Sequence, residues 1–384
     1  MRILHTSDWH LGRSLHGVDL IRYQREILGE IAQIAAQEHV DAVIVAGDVY
    51  DRTIPPVQAV QIFTEVLQQL AEQCTVIVTS GNHDSAVRLG QGACLYRDGV
   101  HVVTNSQSVG ERIELRDSAG HVAHVYPIPY LDPDTVRYQF SDTDEPLARS
   151  HEAVTMAAMD RIRAIAADSP GIPYIVAAHL FAVGGQPSDS ERDISVGGVD
   201  SVAAGVFDGA DYVALGHLHG PQQISGPAGT TVRYSGSPMR FSLSEAGHTK
   251  SVTIVEIEEA NVSTRLITLA QPRELTSLTG FFDDLCALAP IHGDDWVELI
   301  VTDPARPEEL IARLKQHFPH ALSITHRPPT KAIDLRQPIT TGQTDPMTVI
   351  EQFVVDVTDT PATSDEVIVL RDAVENAQQQ DRSN

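Results

Sequence analysis

Residues 2–13 read RILHTSDWHLGR, a strand-like run followed directly by strongly polar side chains. Asp8 and His10 stand two positions apart where this run ends. In an extended backbone, side chains at positions i and i+2 point to the same side, so the pattern predicts that these two face one point. A surface turn is the ordinary alternative for this stretch taken alone. Whether other strands end in the same way decides between the two interpretations.

Four further apolar segments end in polar side chains of the same kind. They are VDAVIVAGD (40–48), CTVIVTSGNHD (74–84), PYIVAAHL (173–180) and DYVALGHLHG (211–220). Patterns of amphipathic helices lie between the opening strand and VDAVIVAGD, and between VDAVIVAGD and CTVIVTSGNHD. Continuous apolar strands that alternate with helices are typical of an α/β protein whose sheets are covered on both faces. The sequence therefore predicts two mixed β-sheets packed face to face and flanked by helices.

The strand ends together offer oxygen and imidazole donors without thiolates, as divalent ions such as manganese, iron or zinc require. Each motif alone is an ordinary turn or a satisfied polar residue, but the joint occurrence indicates a metal site. The donors exceed what one ion takes and suit two ions that share a carboxylate. Ligands of open α/β sheets gather at the carboxyl ends of strands, where all of these residues lie. The candidate metal ligands are Asp8, His10, Asp48, Asn82, His179, His217 and His219.

Composition limits the class of protein. The chain has 384 residues, 42% of them hydrophobic, and no apolar run long enough to span a bilayer. Its three scattered cysteines fit a reducing compartment, and its start lacks a leader pattern, so we expect a cytoplasmic protein without a membrane anchor. The formal net charge of -25 argues against DNA binding through a broad basic surface. A role on DNA would need bound cations, a local basic strip or a partner.

The pattern along the chain predicts three parts. Residues 1–270 form the main domain, residues 275–329 a small α/β capping domain, and residues 330–384 a helical tail. From Asp345 onward the tail carries nine acidic and two basic residues. It is either a solvated cap or a docking surface for a partner, and the sequence leaves both open.

The order DxH, GDxxD, GNHD, H, GHxH resembles the calcineurin-like metallophosphoesterase superfamily. In this chain these motifs occupy residues 8–10, 47–51, 81–84, 179 and 216–219. The fuller segments are similar to those of the SbcD family, the nuclease subunits of bacterial SbcCD complexes. These segments are ILHTSDWHLGR, VAGDVYDR, GNHDS, PIPYL, RDISVGG, ALGHLHGPQ and YSGSP.

The resemblance implies a role for each candidate residue. Asp8, His10 and His219 would hold one ion, Asn82, His179 and His217 the other, and Asp48 would bridge the two.

Three further residues receive expectations from their place beside these ligands. His83 would point away from its neighbour Asn82 and act as general acid, or as transition-state stabiliser, at the 3′ leaving oxygen. Asp51 would orient His83 through its carboxylate, with a helix N-cap as the alternative. Arg52 would contact substrate phosphate, with an exposed salt bridge as the alternative.

The resemblance also implies an activity. It is that of a two-metal DNA nuclease, a 3′–5′ exonuclease on double-stranded ends and an endonuclease on single strands and hairpins. Manganese is the expected metal, with magnesium as the alternative. The expected assembly is a homodimer within a heterotetramer that contains an SbcC-like ATPase, acting in DNA recombination, replication and repair.

Two other functions compete with this one. A phosphodiesterase for small or cyclic nucleotides shares the site chemistry, but the sequence beyond residue 269 favours the nuclease. A non-catalytic scaffold would be expected to lose ligands, and all seven candidates are present.

Overall fold

The structure is a computed structural model, and it describes residues 1–192, 201–258, 261–329, 345–358 and 360–381. Most of the RDISVGG segment, and residues 330–344 of the predicted tail, lie outside the described residues. The chain divides into two compact units, Met1–Arg327 and Pro328–Asn384.

The described strands follow the apolar runs of the sequence. In chain order they are β1 (Arg2–Thr6), β2 (Ser14–Leu15), β3 (Val18–Asp19), β4 (Ala42–Ala46), β5 (Thr75–Thr79), β6 (Val100–Val103), β7 (Ile113–Arg116), β8 (Val122–Pro127), β9 (Tyr174–His179), β10 (Phe181–Ala182), β11 (Ser201–Val202), β12 (Tyr212–Gly216), β13 (Gln222–Ile224), β14 (Thr231–Tyr234), β15 (Ser251–Glu258), β16 (Asn261–Thr268), β17 (Leu275–Gly280), β18 (Trp296–Val301) and β19 (Ala321–His326).

The described helices include the amphipathic segments that the periodicity predicts. In chain order they are α1 (Ile21–Gln37), α2 (Val57–Ala71), α3 (Ala86–Leu89), α4 (Pro133–Gln139), α5 (His151–Ala166), α6 (Phe282–Ala287), α7 (Ala289–His292), α8 (Leu310–His317), α9 (Pro346–Thr358) and α10 (Ser364–Asp381). None of the helices in the described ranges is both long enough and apolar enough to cross a membrane.

Two mixed sheets form the centre of the first unit. The first has the strand order β16-β15-β1-β4-β5-β6, and the second has the order β13-β14-β12-β9-β8-β7. Within the first sheet β1, β4, β5 and β6 are parallel, and within the second β14, β12, β9 and β8 are parallel. This arrangement confirms the predicted fold class.

Alternating side chains build the layers. Ile3, Ile44 and Ile77 of the first sheet meet Ile175 and Tyr212 of the second in one buried core. Neighbouring residues on the same strands point outward and pack under helices: α1 and α2 cover the first sheet, and α5 covers the second. Because both faces of each sheet are buried, the parallel strands are mostly apolar.

A smaller parallel sheet, β17-β18-β19, carries α6 and α8 and belongs to the same compact unit. Its Trp296 lies 5.3 Å, between ring centroids, from Tyr23 of α1. In the second unit α9 and α10 contact each other. The domain boundaries at residues 270, 275, 329 and 330 stay a prediction.

Candidate metal centre

The polar ends of five strands meet at one edge of the two sheets. β1, β4, β5, β9 and β12 all run in the parallel sense within their sheets, so their carboxyl ends lie on the same side. Main-chain hydrogen bonds join the loops, with Asp8 N donating to Gly47 O at 3.1 Å and His10 N donating to Asp48 O at 3.0 Å. The fold therefore delivers side chains that are distant in sequence to one place.

The backbone at this edge is not extended, so the i and i+2 argument was wrong in its geometry. β1 already ends at Thr6. Asp8, His10 and Asp48 have positive φ angles of 53°, 43° and 49°, and His217 has a φ of 108°. Left-handed conformations are costly for non-glycine residues and persist where the surroundings enforce them. Here the hydrogen bonds between loops enforce them, and the side chains still converge.

The first group of candidate ligand atoms consists of Asp8, His10 and His219. One side-chain atom from each lies within 4.8 Å of the others, and all three residues are buried. The Nε2 atoms of His10 and His219 are 3.0 Å apart. This is the set that the resemblance assigns to one ion.

The second group centres on Asp48 and His179. Asp48 Oδ2 lies 3.3 Å from His179 Nε2 and 3.7 Å from His10 Nε2, between the two groups. Asn82 Oδ1 lies 2.8 Å from His179 Nε2. Asp48 therefore has the central position that a bridging carboxylate needs.

His217 lies at the rim of the second group. Its ring centroid is 5.4 Å from that of His179, while its main-chain N–H donates to the Asp8 carboxylate at 3.0 Å. The ligand-atom clusters found among the described residues do not include it. Its assignment to the second ion stays a prediction.

The pKa values at the centre are shifted in both directions: burial lowers those of His10 and His217 well below the usual value, whereas that of His179 is raised. Burial disfavours the charged form of His179, but the Asp48 and Asp8 carboxylates outweigh it and raise the pKa of His179 to about 9. Burial raises the pKa of the Asp8 carboxyl to about 6. A ligating imidazole must be neutral, so a divalent cation at this point would take the place of the imidazolium proton.

The residues fit divalent metal ions. Carboxylate, amide and imidazole donors converge without thiolates, as the sequence predicts. The geometry therefore supports a site for divalent cations.

His83 lies beside these ligands and does not point away from them. Its ring centroid is 4.8 Å from that of His10, and its main-chain N–H donates to Asp48 Oδ1 at 2.9 Å. The segment 81–84 forms a bend, so the alternation expected of an extended strand does not apply.

Asp51 contacts His83 through its main chain. His83 Nδ1 lies 2.8 Å from the Asp51 carbonyl oxygen. The Asp51 carboxylate instead faces His10 Nδ1 at 3.6 Å and Arg13 Nη1 at 3.4 Å. The predicted carboxylate contact to His83 is therefore absent in the described structure, because the Asp51 side chain points toward the loop after β1 that carries His10 and Arg13. Arg52, next along this loop, is exposed.

One important residue was missed by sequence reasoning. The buried Asp84 carboxylate accepts main-chain N–H groups from Val49 at 3.1 Å, Tyr50 at 2.9 Å and Gly81 at 2.9 Å. Burial, together with the nearby Asp48 charge, raises the pKa of Asp84 to about 7. Asp84 joins the loops after β4 and β5. Its position at the end of GNHD was the available signal.

A second missed group supports His219 from behind. Ser190, Glu245 and Lys250 are all buried, and Glu245 contacts both Ser190 and Lys250. Burial alone would raise the pKa of Glu245, but the hydrogen bond to His219 and the Lys250 charge hold it well below its usual range. No local motif marks these residues.

Comparison with known proteins identifies the family. The family model described as calcineurin-like phosphoesterase matches residues 1–221, and the one described as type 5 capsule protein repressor C-terminal domain matches residues 271–358. The SbcD subunit of the nuclease SbcCD from Bacillus subtilis (strain 168) is 40% identical over 285 residues, 71% of this chain and 71% of the relative. The chain belongs to the SbcD family of calcineurin-like phosphoesterases.

Matches among solved structures include two chains of low sequence identity. A protein of Thermus thermophilus is 14% identical with a TM-score of 0.38, covering 69% of this chain and 98% of its own. A dimetal phosphatase from Danio rerio is 11% identical with a TM-score of 0.41, covering 70% of this chain and 98% of its own. The SbcD-family assignment rests on the family models and the Bacillus relative alone.

Proposed function

We propose that this SbcD-family chain is a metal-dependent DNA nuclease that works as one subunit of a larger complex. The observation that carries the proposal is the position of the Asp48 carboxylate. It lies between His10 and His179, with Asp8 and His219 completing the buried cluster. A carboxylate so placed is suited to hold two cations that clamp one phosphodiester.

We assign Asp8, His10 and His219 to one ion and Asn82, His179 and His217 to the other, with Asp48 shared. Mn²⁺ fits this donor set better than Mg²⁺, which prefers oxygen ligands and retains its waters. When bound, the ions would polarise the phosphate oxygens and lower the pKa of the attacking water.

His83 is the group that we assign to the leaving oxygen. If Nδ1–H donates to the Asp51 carbonyl oxygen at 2.8 Å, the ring is held in place and Nε2 remains for the proton that the 3′ oxygen receives. His83 is half-buried, so a substrate can reach it. In this account Asp51 acts through its main chain, and we propose that the exposed Arg52 contacts a substrate phosphate.

The partners follow from the charge. A net charge of -25 leaves much of the DNA contact to bound cations and to an SbcC-like ATPase. Helix α9 exposes Val349, Phe353 and Val357 at intervals of four residues, an apolar stripe of the kind that docks on a partner helix. We therefore assign residues 330–384 to ATPase binding, residues 275–329 to the capping domain and residues 1–270 to the nuclease domain.

We also propose that the chain forms a homodimer within this heterotetramer. Ile54 and Val57, before and at the start of α2, are 65% and 73% exposed, and Val87 of α3 and Leu95 are 85% and 83% exposed. Contiguous patches of exposed apolar side chains mark subunit interfaces, and we propose that these residues contribute to one. The proposed activity is that of a cytoplasmic 3′–5′ exonuclease on duplex ends and endonuclease on single strands and hairpins, in recombination, replication and repair.

The test is cleavage by the purified full chain with Mn²⁺ of a labelled linear duplex and of bis-p-nitrophenyl phosphate. We expect both substrates to be cut, Asp48→Asn to abolish cleavage, and His83→Ala to reduce it by about 10²–10⁴-fold. Cleavage of the small diester alone, even after the ATPase partner is added, would favour a small-nucleotide phosphodiesterase. No cleavage by metal-loaded protein would favour the scaffold.

A further inference from the structure

A buried ion pair lies directly behind one of the candidate metal ligands. Glu245 and Lys250 are 0% and 1% exposed, and they contact each other. Lys250 Nζ also donates to the His219 carbonyl oxygen at 2.8 Å and to Ser237 Oγ at 2.9 Å. Buried ion pairs add little net stability compared with well-packed apolar residues, so the pair calls for another explanation.

The pair connects to His219 through a serine. His219 Nδ1 lies 2.6 Å from Ser190 Oγ and 3.3 Å from Glu245 Oε1, and the Ser190 hydroxyl donates to the Glu245 carboxylate. On the opposite side of the same ring, Nε2 faces His10 Nε2 at 3.0 Å. The hydrogen-bonded chain therefore meets the ring at the nitrogen that is turned away from the metal centre.

The directions of these hydrogen bonds fix the state of the imidazole. The carboxylate only accepts, so the Ser190 hydroxyl proton goes to Glu245 and the Ser190 oxygen is left to accept from His219 Nδ1–H. A neutral imidazole with its proton on Nδ1 presents an unshared electron pair at Nε2. A neutral tautomer protonated at Nε2 would point a proton at His10 and could not bind a cation there.

We propose that Glu245, held by Lys250 and acting through Ser190, is a positioning residue that selects the metal-binding tautomer and orientation of His219. This inference rests on the proposed function, because it needs a cation at Nε2. Lys250 keeps the Glu245 carboxylate fixed in the protein interior. Lys250 Nζ also donates to the His219 carbonyl oxygen and so holds the main chain of this candidate ligand in place. Carboxylates that bond the far nitrogen of a ligating histidine typically contribute about 10- to 100-fold in metal affinity.

The test compares two double variants of the full chain, E245M/K250M and E245Q/K250M. Both lack the ion pair and leave no buried charge unpaired, but only glutamine retains an oxygen that can accept from Ser190. We expect E245M/K250M to bind one of two Mn²⁺ ions about 10- to 100-fold more weakly by calorimetry, with the other step unchanged. Electron paramagnetic resonance at limiting Mn²⁺ should show the signal of isolated Mn²⁺ in E245M/K250M, in place of the signal of two spin-coupled ions expected of the wild type. E245Q/K250M should recover most of the affinity.

A third variant tests the same contact in case the double variants do not fold. S190A removes only the bridging hydroxyl and should weaken the same binding step several-fold, with activity restored by excess Mn²⁺. E274Q, at an exposed ion pair with Arg240, should bind both ions like the wild type.

The outcomes separate this inference from the proposed function. Wild-type affinity in S190A or in E245M/K250M, or equal loss in the methionine and glutamine variants, would overturn the positioning role. Failure of the wild-type chain to bind Mn²⁺ would instead overturn the proposed function, and this inference with it.

Discussion

The Nε2 atoms of His10 and His219 lie 3.0 Å apart in the protein interior. Two neutral imidazoles can share at most one proton between these atoms. We propose that both nitrogens are ligands of one cation in the metal-bound protein, and this leads to the first prediction.

His10→Ala and His219→Ala should each weaken the same Mn²⁺-binding step, by about 100-fold or more, because each removes a ligand from the same ion. The double variant should be little worse than either single variant, since ligands of one ion act as a unit. Calorimetric titration of the full chain measures both steps. His317→Ala, at an exposed position on α8, is the control and should change neither step. Additive losses spread over both steps would show that the two histidines serve different ions.

Asp84→Asn should lower the free energy of unfolding by about 2–4 kcal/mol, because a carboxyl group that accepts from three main-chain N–H groups is replaced by an amide with a single acceptor oxygen. The asparagine side chain would also place its NH2 group, which only donates hydrogen bonds, against these main-chain N–H donors. Urea denaturation measures the change.

The matched control is Asp132→Asn at the exposed N-cap of α4, where the carboxylate accepts from Asp134 N at 3.0 Å. Asparagine caps a helix as well as aspartate does, so this change should be nearly neutral. Equal effects at the two positions would argue against the role of Asp84 in joining the loops.

The sequence was sufficient to predict which polar side chains converge, because these side chains follow apolar strands. Asp8, Asp48 and His179 needed only the rule that parallel strands end at one edge. The conformations of the loops could not be predicted, since they depend on hydrogen bonds between the loops after β1 and β4 that no single segment encodes. Glu245 and Lys250 were missed for a related reason. They reach His219 from residues 26 and 31 positions away, through tertiary packing.

The main-chain contact of Asp51 shows a second limit. Sequence reasoning considers side chains, and it therefore gave the contact with His83 to the carboxylate. In the structure the carbonyl oxygen makes this contact, and such contacts depend on the local backbone path rather than on residue type.

Gly81→Ala and Gly216→Ala should both abolish nuclease activity, because a Cβ at either position has no room. At Gly81 it would clash with Asp48 Oδ1, and at Gly216 with the carbonyl oxygen of Ala46. Either clash would move a loop or strand that positions the metal ligands. Cleavage of bis-p-nitrophenyl phosphate and thermal unfolding of each variant measure the effects.

Gly29→Ala is the matched control, since Gly29 lies within α1 and a Cβ there would meet no atom of the described residues within 4 Å beyond its own stretch of helix. Alanine is the better helix former, so this variant should gain about 0.5–1 kcal/mol and keep full activity. Full activity in Gly81→Ala or Gly216→Ala would mean that these strand ends can shift without disturbing the site.

His5 should make the protein less stable as the pH falls below 6.5. Burial, aided by the Arg233 charge, lowers the pKa of His5 to about 3, while its Nδ1 lies 2.8 Å from the Tyr212 hydroxyl. Below the unfolded-state pKa of 6.5, His5 binds a proton in the unfolded chain but not in the native state. The free energy of unfolding therefore decreases by up to about 1.4 kcal/mol for each pH unit below 6.5. Above pH 6.5 this contribution does not change.

His5→Gln removes the titrating group, so the unfolding free energy of the wild type minus that of the variant should decline as the pH falls from 6.5 to about 4.5. Urea denaturation in the presence of chelator measures this difference, and for the exposed His317→Gln it should stay nearly constant. A pH-independent difference for His5→Gln would mean that His5 is protonated in the native core.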